Sequence, residues 1–239
     1  MNGDRAEAKK RVAKKLLEEF LKRRLSSNLP IWFFSPGPPN PPAPRSALVE
    51  YTTSFSCTGL EMTGNGSADW ATARDTLTGA WCVEVEDPTR LFFQCRNYFG
   101  DYIFERGIFR FALSALPAGA EMVSGYVSLI VWLVAEGVVC AQRAPTTIWN
   151  DVADYLSFEG VSGGDVTTAI GEIQLPLSSG DLAYIKANAG GSCYFMTREY
   201  THDYLNSPPA LGENFRAYCY THLAADPANY PTLVLTYKA

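Results

Sequence analysis

The first regular pattern runs from Asp4 to Leu25. There Ala13, Leu16, Leu17, Phe20 and Leu21 recur at three- and four-residue spacings among Lys, Arg and Glu, with no Pro or Gly between. That spacing predicts one amphipathic helix, about 30 Å long at 1.5 Å per residue. A helix with one apolar stripe is marginal alone, so the stripe needs a surface. Its own domain or copies of itself, another protein, and an anionic surface are the three occupants the pattern leaves open. Beyond residue 48 the period changes. Runs at residues 80–85, 90–95, 108–113, 126–134, 171–177, 191–196, 215–220 and 232–237 are aromatic, β-branched or alternating, with turn residues between them, and read as strands. One short helix is predicted over residues 178–187, begun by Ser178 or Ser179 and carrying Asp181, Leu182, Tyr184 and Ile185. Asn65-Gly66 predicts a tight hairpin turn. Many strands without alternating helices predict a mainly β fold. The expectation is an antiparallel jelly-roll β-sandwich, preceded by the N-terminal amphipathic α-helix and a proline-rich linker.

The linker is a matter of composition. Residues 30–44 hold seven of the chain's 15 prolines, which makes a stiff polyproline-type spacer rising about 3.1 Å per residue. Within it Ile31, Trp32, Phe33 and Phe34 are too apolar to stay in water and are expected to plug into a neighbour, either the following domain or another subunit. The expected organisation is a basic helical arm over 1–28, a linker over 29–47 and a sandwich domain over 48–239.

With 47% hydrophobic and 13% aromatic residues among 239, the chain can build a core and is not disordered. Its 13 Tyr, 13 Phe and 19 Gly against only 19% charged residues suit strands and turns, and exclude an all-helical bundle. The longest uncharged apolar run, residues 122–135, falls short of the roughly 20 residues a membrane helix needs, so no membrane span is expected. The N-terminus leads into charge where a signal peptide would have an apolar segment. Residues 1–25 carry nine basic against four acidic residues, net +5, which leaves −10 on the rest of a chain whose total is −5. A basic arm on an acidic body implies different partners for the two parts, and an acidic body is a poor nucleic-acid binder.

Candidate chemistry is sparse. Cys57, Cys82, Cys95, Cys140, Cys193 and Cys219 are scattered, with no C-x-x-C, which argues against a cysteine zinc site and for buried thiols over disulfides. Gly160-Val161-Ser162-Gly163-Gly164 satisfies G-x-S-x-G, with His202 and His222 downstream. The nucleophile elbow needs a strand before and a helix after, and the β-branched segment 165–171 predicts a glycine-rich loop instead. Tyr200, His202, Asp203 and Tyr204 form a polar and aromatic segment that reads either as a surface loop or as a sugar- or metal-binding site. Glu84, Glu86 and Asp87 read as a solvated strand end. No catalytic residue, cofactor or metal is assigned.

The run Arg110 to Leu129, RFALSALPAGAEMVSGYVSL, resembles the "R-F-D-L-S-x-I-P-x-G-A-x-I-x-x-A-x-L-x-L" signature of DNRLRE-type jelly-roll domains. The ending Pro231 to Tyr237, PTLVLTY, is similar to their closing "R-P-x-L-x-V-x-Y" strand. Ala112 and Tyr230 stand where that family often has Asp and Arg, and the likeness covers residues 104–239. The residues also make sense physically. Phe111 and Leu113 should alternate inward, Pro117-Ala118-Gly119 should turn the chain, and Val127, Leu129, Val131 and Leu133 should share one strand face. The resemblance implies a jelly roll of the kind found on cell-surface proteins, polysaccharide-associated proteins and virion components, and specifies no activity.

A sandwich of this kind without an export signal is expected to leave the cell inside an assembled particle. The expectation is a non-enzymatic structural protein of a bacteriophage virion, a head decoration, fibre or tail-associated subunit assembled in the host cytoplasm. It would bind other virion proteins through residues 1–44, with Leu16, Leu17, Phe20, Leu21, Trp32, Phe33 and Phe34 as the partner-binding set, and oligomerise, a trimer by analogy with other virion spikes. The alternative is a carbohydrate-binding module of a surface or secreted protein, with Tyr200, His202, Asp203 and Tyr204 contacting a glycan.

Overall fold

A computed structural model describes residues 48–87, 91–135, 137–145 and 151–239. The expected helical arm over 1–28 and linker over 29–47, with Leu16, Leu17, Phe20, Leu21, Trp32, Phe33 and Phe34, lie outside the described residues. The chain order is β1 (Glu50–Ser67), α1 (Trp70–Asp75), β2 (Trp81–Glu84), β3 (Leu91–Tyr98), β4 (Asp101–Ala112), β5 (Glu121–Ala135) and β6 (Val138–Arg143), a 3-10 turn (Val152–Leu156), β7 (Asp165–Thr167), β8 (Gly171–Pro176) and α2 (Ser179–Ala187). Then follow β9 (Ser192–Glu199), a π-helical turn (Tyr200–Tyr204), β10 (Asn214–Cys219), a second 3-10 turn (Pro227–Asn229) and β11 (Thr232–Lys238).

Every strand pairing among the described residues is antiparallel, and the architecture fits a β-sandwich. Two long strands each serve two neighbours in succession. The first half of β1 pairs with β11 from Glu50 to Ser56, and the second half with β4 from Cys57 to Ser67, across a register shift between Cys57 and Gly59. β5 pairs with β11 through Ser128, then with β10 from Val131. The pairings β1–β11–β5–β10–β3–β4–β1 therefore close on themselves, while β2 hangs on β1, β8 on β5, and β9–β6–β7 continue from β4.

Alternation explains the core. On β4 the odd positions Phe109 and Phe111 point into the main cluster with Val127, Leu129, Phe195 and Leu235. Each such ring or branched chain contributes about 1.5–3 kcal/mol by burial. Leu113 is also buried there, and Ala120 N donates to Pro117 O at 3.0 Å, closing the turn expected from Pro117-Ala118-Gly119. The even positions Phe104, Arg106 and Ile108 face away from that core and are buried too, because α1, the first 3-10 turn and Phe158 just after it cover the outer face. Phe104 packs with Ala73, Cys95 and Tyr155, and Ile108 with Ala144 and Met196. The short helix α2 begins as expected. Ser178 Oγ accepts from Asp181 N at 3.2 Å and the Asp181 carboxylate accepts from Ser178 N at 2.8 Å, a reciprocal capping box.

Several expectations need correction. Asn65-Gly66 is not a hairpin turn; both residues lie inside β1, opposite Phe104 and Ile103. The Asn65 amide instead donates to the carbonyls of Thr72 and Thr76, tying α1 to the sheet. Leu133 does not share a face with Val127, Leu129 and Val131. The register shifts where Val131 pairs with Cys219 and Leu133 with Tyr218, so Leu133 is 43% exposed and Val134 packs on the core in its place. The strands β1, β6 and β7 and the helix α1 have no counterpart among the elements that the sequence pattern predicts.

Candidate functional site

The segment with the richest chemistry follows β9. Glu199 caps the π-helical turn, its carboxylate accepting from the backbone of Thr201, His202 and Asp203. That turn folds Asp203 back beneath β4, where it meets two arginines from neighbouring strands. Arg106 donates from Nε to Oδ2 at 2.8 Å and from Nη2 to Oδ1 at 2.7 Å. Arg198 donates from Nη2 to Oδ1 at 2.7 Å and from Nε to Oδ2 at 3.2 Å. Both pairs are bidentate, the geometry in which a guanidinium binds a carboxylate most strongly.

The remaining donors of this cluster are also engaged. Arg106 Nη1 reaches Tyr155 O at 2.7 Å, and Arg198 Nη1 reaches Gln142 Oε1 at 2.8 Å. Arg74 Nε donates to Asp203 O at 2.8 Å. The Arg106 guanidinium lies 4.1 Å from the Tyr155 ring centroid, and that of Arg198 4.0 Å from Phe158. Exposure is 0% for Arg106, 2% for Arg198 and 1% for Asp203. Burial alone would raise the Asp203 carboxyl, but the Arg106 and Arg198 charges and hydrogen bonds outweigh it and hold Asp203 well below the usual carboxylate range. Burial raises Glu199, against the lowering pull of its backbone donors.

Of the four residues expected to contact a glycan, the structure turns two inward. His202 and Asp203 are buried, which corrects the surface-loop reading for them. His202 Nδ1 meets Ser207 O, and a carbonyl oxygen can only accept, so this nitrogen carries the proton. The ring packs 4.3 Å from Phe215, and Nε2 is buried without a hydrogen-bond partner. Tyr200 and Tyr204 stack on each other at 5.1 Å and 14°, and the Tyr204 hydroxyl accepts from Ser162 N at 3.2 Å. One face of each ring is therefore turned to the other.

Ser162 is held in a local turn. Its hydroxyl donates to Gly164 O at 2.8 Å and accepts from Gly164 N at 3.1 Å. The chain continues into the three-residue strand β7, with no helix. A Cβ on Gly163 would come within 2.3 Å of Pro176 O, so glycine is needed here for close packing. This is the glycine-rich loop the sequence predicts.

All six cysteines are free thiols, and five are buried. Burial pushes Cys57 up to about 12 and Cys140 likewise to about 12. Cys82 has company that the sequence reading missed: Glu61, Cys82 and Asp154 bring ligand-type atoms within 4.8 Å of one another. Burial, then the Glu61 and Asp154 charges, raise the Cys82 thiol, so it stays protonated beside Glu61. The trio comes from three elements distant in sequence, and no spacing signalled it. Glu84, Glu86 and Asp87 are exposed, as expected of a solvated strand end, and line an open acidic cleft of about 430 Å³ with Glu105.

Arg106 is the other residue that sequence reasoning missed. It sits between Phe104 and Ile108 at an outward-facing position, where an arginine ordinarily meets water, and only the covering elements bury it. A scan against protein-family models and a search of curated protein sequences return no match for this chain.

Proposed function

We propose that this chain is a non-catalytic structural subunit of a bacteriophage virion, in which a jelly-roll sandwich is presented on an N-terminal basic arm that binds other virion proteins. The observation that carries the reading is how the chemistry-bearing residues are used. Asp203 accepts from both Arg106 and Arg198 inside the fold, and Ser162 bonds its own loop. Such a sandwich is scaffold, and its partner-directed features are the amphipathic stripe Leu16, Leu17, Phe20 and Leu21 and the aromatic plug Trp32, Phe33 and Phe34. The passage of β1 from β11 to β4, and of β5 from β11 to β10, supports the jelly roll, as does the resemblance over residues 104–239. Assembly in the host cytoplasm, with homo-oligomerisation through residues 1–44, accords with this role. The glycan-binding alternative at Tyr200–Tyr204 is disfavoured because those two rings stack on each other and His202 and Asp203 face inward.

The test is the full chain carrying Leu17→Asp with Phe20→Asp. Circular dichroism should report an unchanged sandwich, while sedimentation should report loss of self-association, and particles assembled with the variant should lack the subunit. Unaltered self-association and incorporation would refute the anchoring role.

A further inference from the structure

A second site lies on the outer face of the sheet formed by β1, β11, β5 and β8, far in sequence from the π-helical turn. Ser54, Val234 and Tyr126 form one cross-strand row, and Thr232 and Ser128 the next. These positions alternate with the buried Leu233, Leu235, Val127 and Leu129, so they point away from the core. The loop carrying the second 3-10 turn rises at the edge of these rows and adds Ala228 and Tyr230. The result is a groove of about 300 Å³ with tyrosines from two different elements.

Across it stands Glu172 of β8. Ser128 Oγ donates to Glu172 Oε1 at 2.7 Å and Gln174 Nε2 donates to the same oxygen at 3.1 Å. The two bonds fix the carboxylate and leave Oε2 without either of them. They also lower its pKa, Ser128 contributing most, so the group stays ionised to a lower pH than an ordinary glutamate.

From this geometry we infer that the groove lined by Tyr126, Tyr230, Ser128, Thr232 and Glu172 binds a neutral oligosaccharide. A pyranose ring has apolar C–H faces that stack on aromatic side chains and a rim of hydroxyls that needs closely placed acceptors and donors. The groove offers both, with the carboxylate positioned before the ligand arrives. The ligand is neutral because residues 26–239 carry net −10, a field that repels sialylated or uronic-acid glycans. The site binds and does not hydrolyse: Glu172 is the one carboxylate among its lining residues, whereas glycoside cleavage uses a facing pair. The groove is distinct from the Tyr200–Tyr204 segment, and it stands or falls independently of the virion reading.

The experiment uses the full-length chain on an array of neutral and sialylated oligosaccharides, followed by titration with the best neutral oligosaccharide. The wild type should bind neutral sugars. Tyr126→Ala and Tyr230→Ala should each weaken binding at least tenfold, and Glu172→Gln about fivefold. Ala228→Trp, which fills the groove from the loop without altering the sheet, should abolish it. Tyr200→Ala should bind as the wild type does, and near-UV circular dichroism should show every variant folded. Absence of neutral-sugar binding by the wild type, binding confined to sialylated glycans, or groove variants that are folded and bind normally would each overturn the proposal. If sugar binding follows this pattern while the Leu17→Asp/Phe20→Asp chain still enters particles, the groove survives and the anchoring role alone falls.

Discussion

Asp203 shows how far a single side chain's role can depart from what its neighbours in sequence suggest. Within Arg198-Glu199-Tyr200-Thr201-His202-Asp203-Tyr204 it reads as one more polar residue of a loop, yet it is the anion between two buried guanidiniums. Removing one partner of a buried ion pair leaves an uncompensated charge in a poorly solvating interior. Asp203→Asn should therefore cost about 3–5 kcal/mol, measured by urea unfolding at neutral pH. The pH dependence has a definite sign. The folded carboxyl titrates below its unfolded value of about 3.9, so its contribution is complete above that value and is lost as pH falls toward the folded one. Stability of the wild type should drop as pH is lowered through this window, and Asp203→Asn should lack that component. An equal acid dependence in the variant would show that the pair is not what the low pH breaks. His202 and Asp203 are legible as chemically rich residues, but their direction is not, since the π-helical turn buries both of these consecutive residues where a continuing strand would alternate them.

At the scale of elements, what was legible followed the strength of the periodicity. The strands β2, β3, β8, β9, β10 and β11 match runs of strong alternation or aromatic content, and α2 matches its capping residues. The 18-residue β1 was missed because Thr52, Thr53, Ser54 and Ser56 make its first half read as polar, and because Asn65-Gly66 carries the strongest short hairpin signal in the chain. Both features arise from context. The first half shows a solvated face, and Asn65 uses its amide to hold α1. The register shift within β5 makes a sharper test. Phe111→Ala, in the core at β4, should cost about 3–5 kcal/mol in equilibrium unfolding. Leu133→Ala, outward by one residue of shift, should stay within about 0.5 kcal/mol of the wild type. A large loss at Leu133 would mean that the uninterrupted alternation of the sequence is correct and the register shift is not.

For the molecule as a whole, the closed circuit of strand pairing from β1 through β11, β5, β10, β3 and β4 encloses one main core, and five of the six thiols lie in buried positions. Burial raises Cys95, Cys193 and Cys219 as well as Cys57 and Cys140, so they present neither thiolate nor access. Ellman's reagent should therefore find no fast thiol in the native chain, with Cys82, the one that is not fully buried, reacting slowly because it stays protonated, and all six should react after unfolding. Fast reaction of any thiol in the native state would contradict the packing. The sequence by itself determined the mainly β character, the inward set on β4 with Phe111, the capped helix at Ser178 and the charge difference between residues 1–25 and the rest, because each rests on local period, local capping or composition. Tertiary structure alone decided that Arg106 and Asp203 are interior, that Glu61, Cys82 and Asp154 converge, and that Tyr126, Tyr230 and Glu172 border one groove. Those facts depend on which distant strands pair and what covers their outer faces, and a linear pattern of apolar and polar residues carries no record of either.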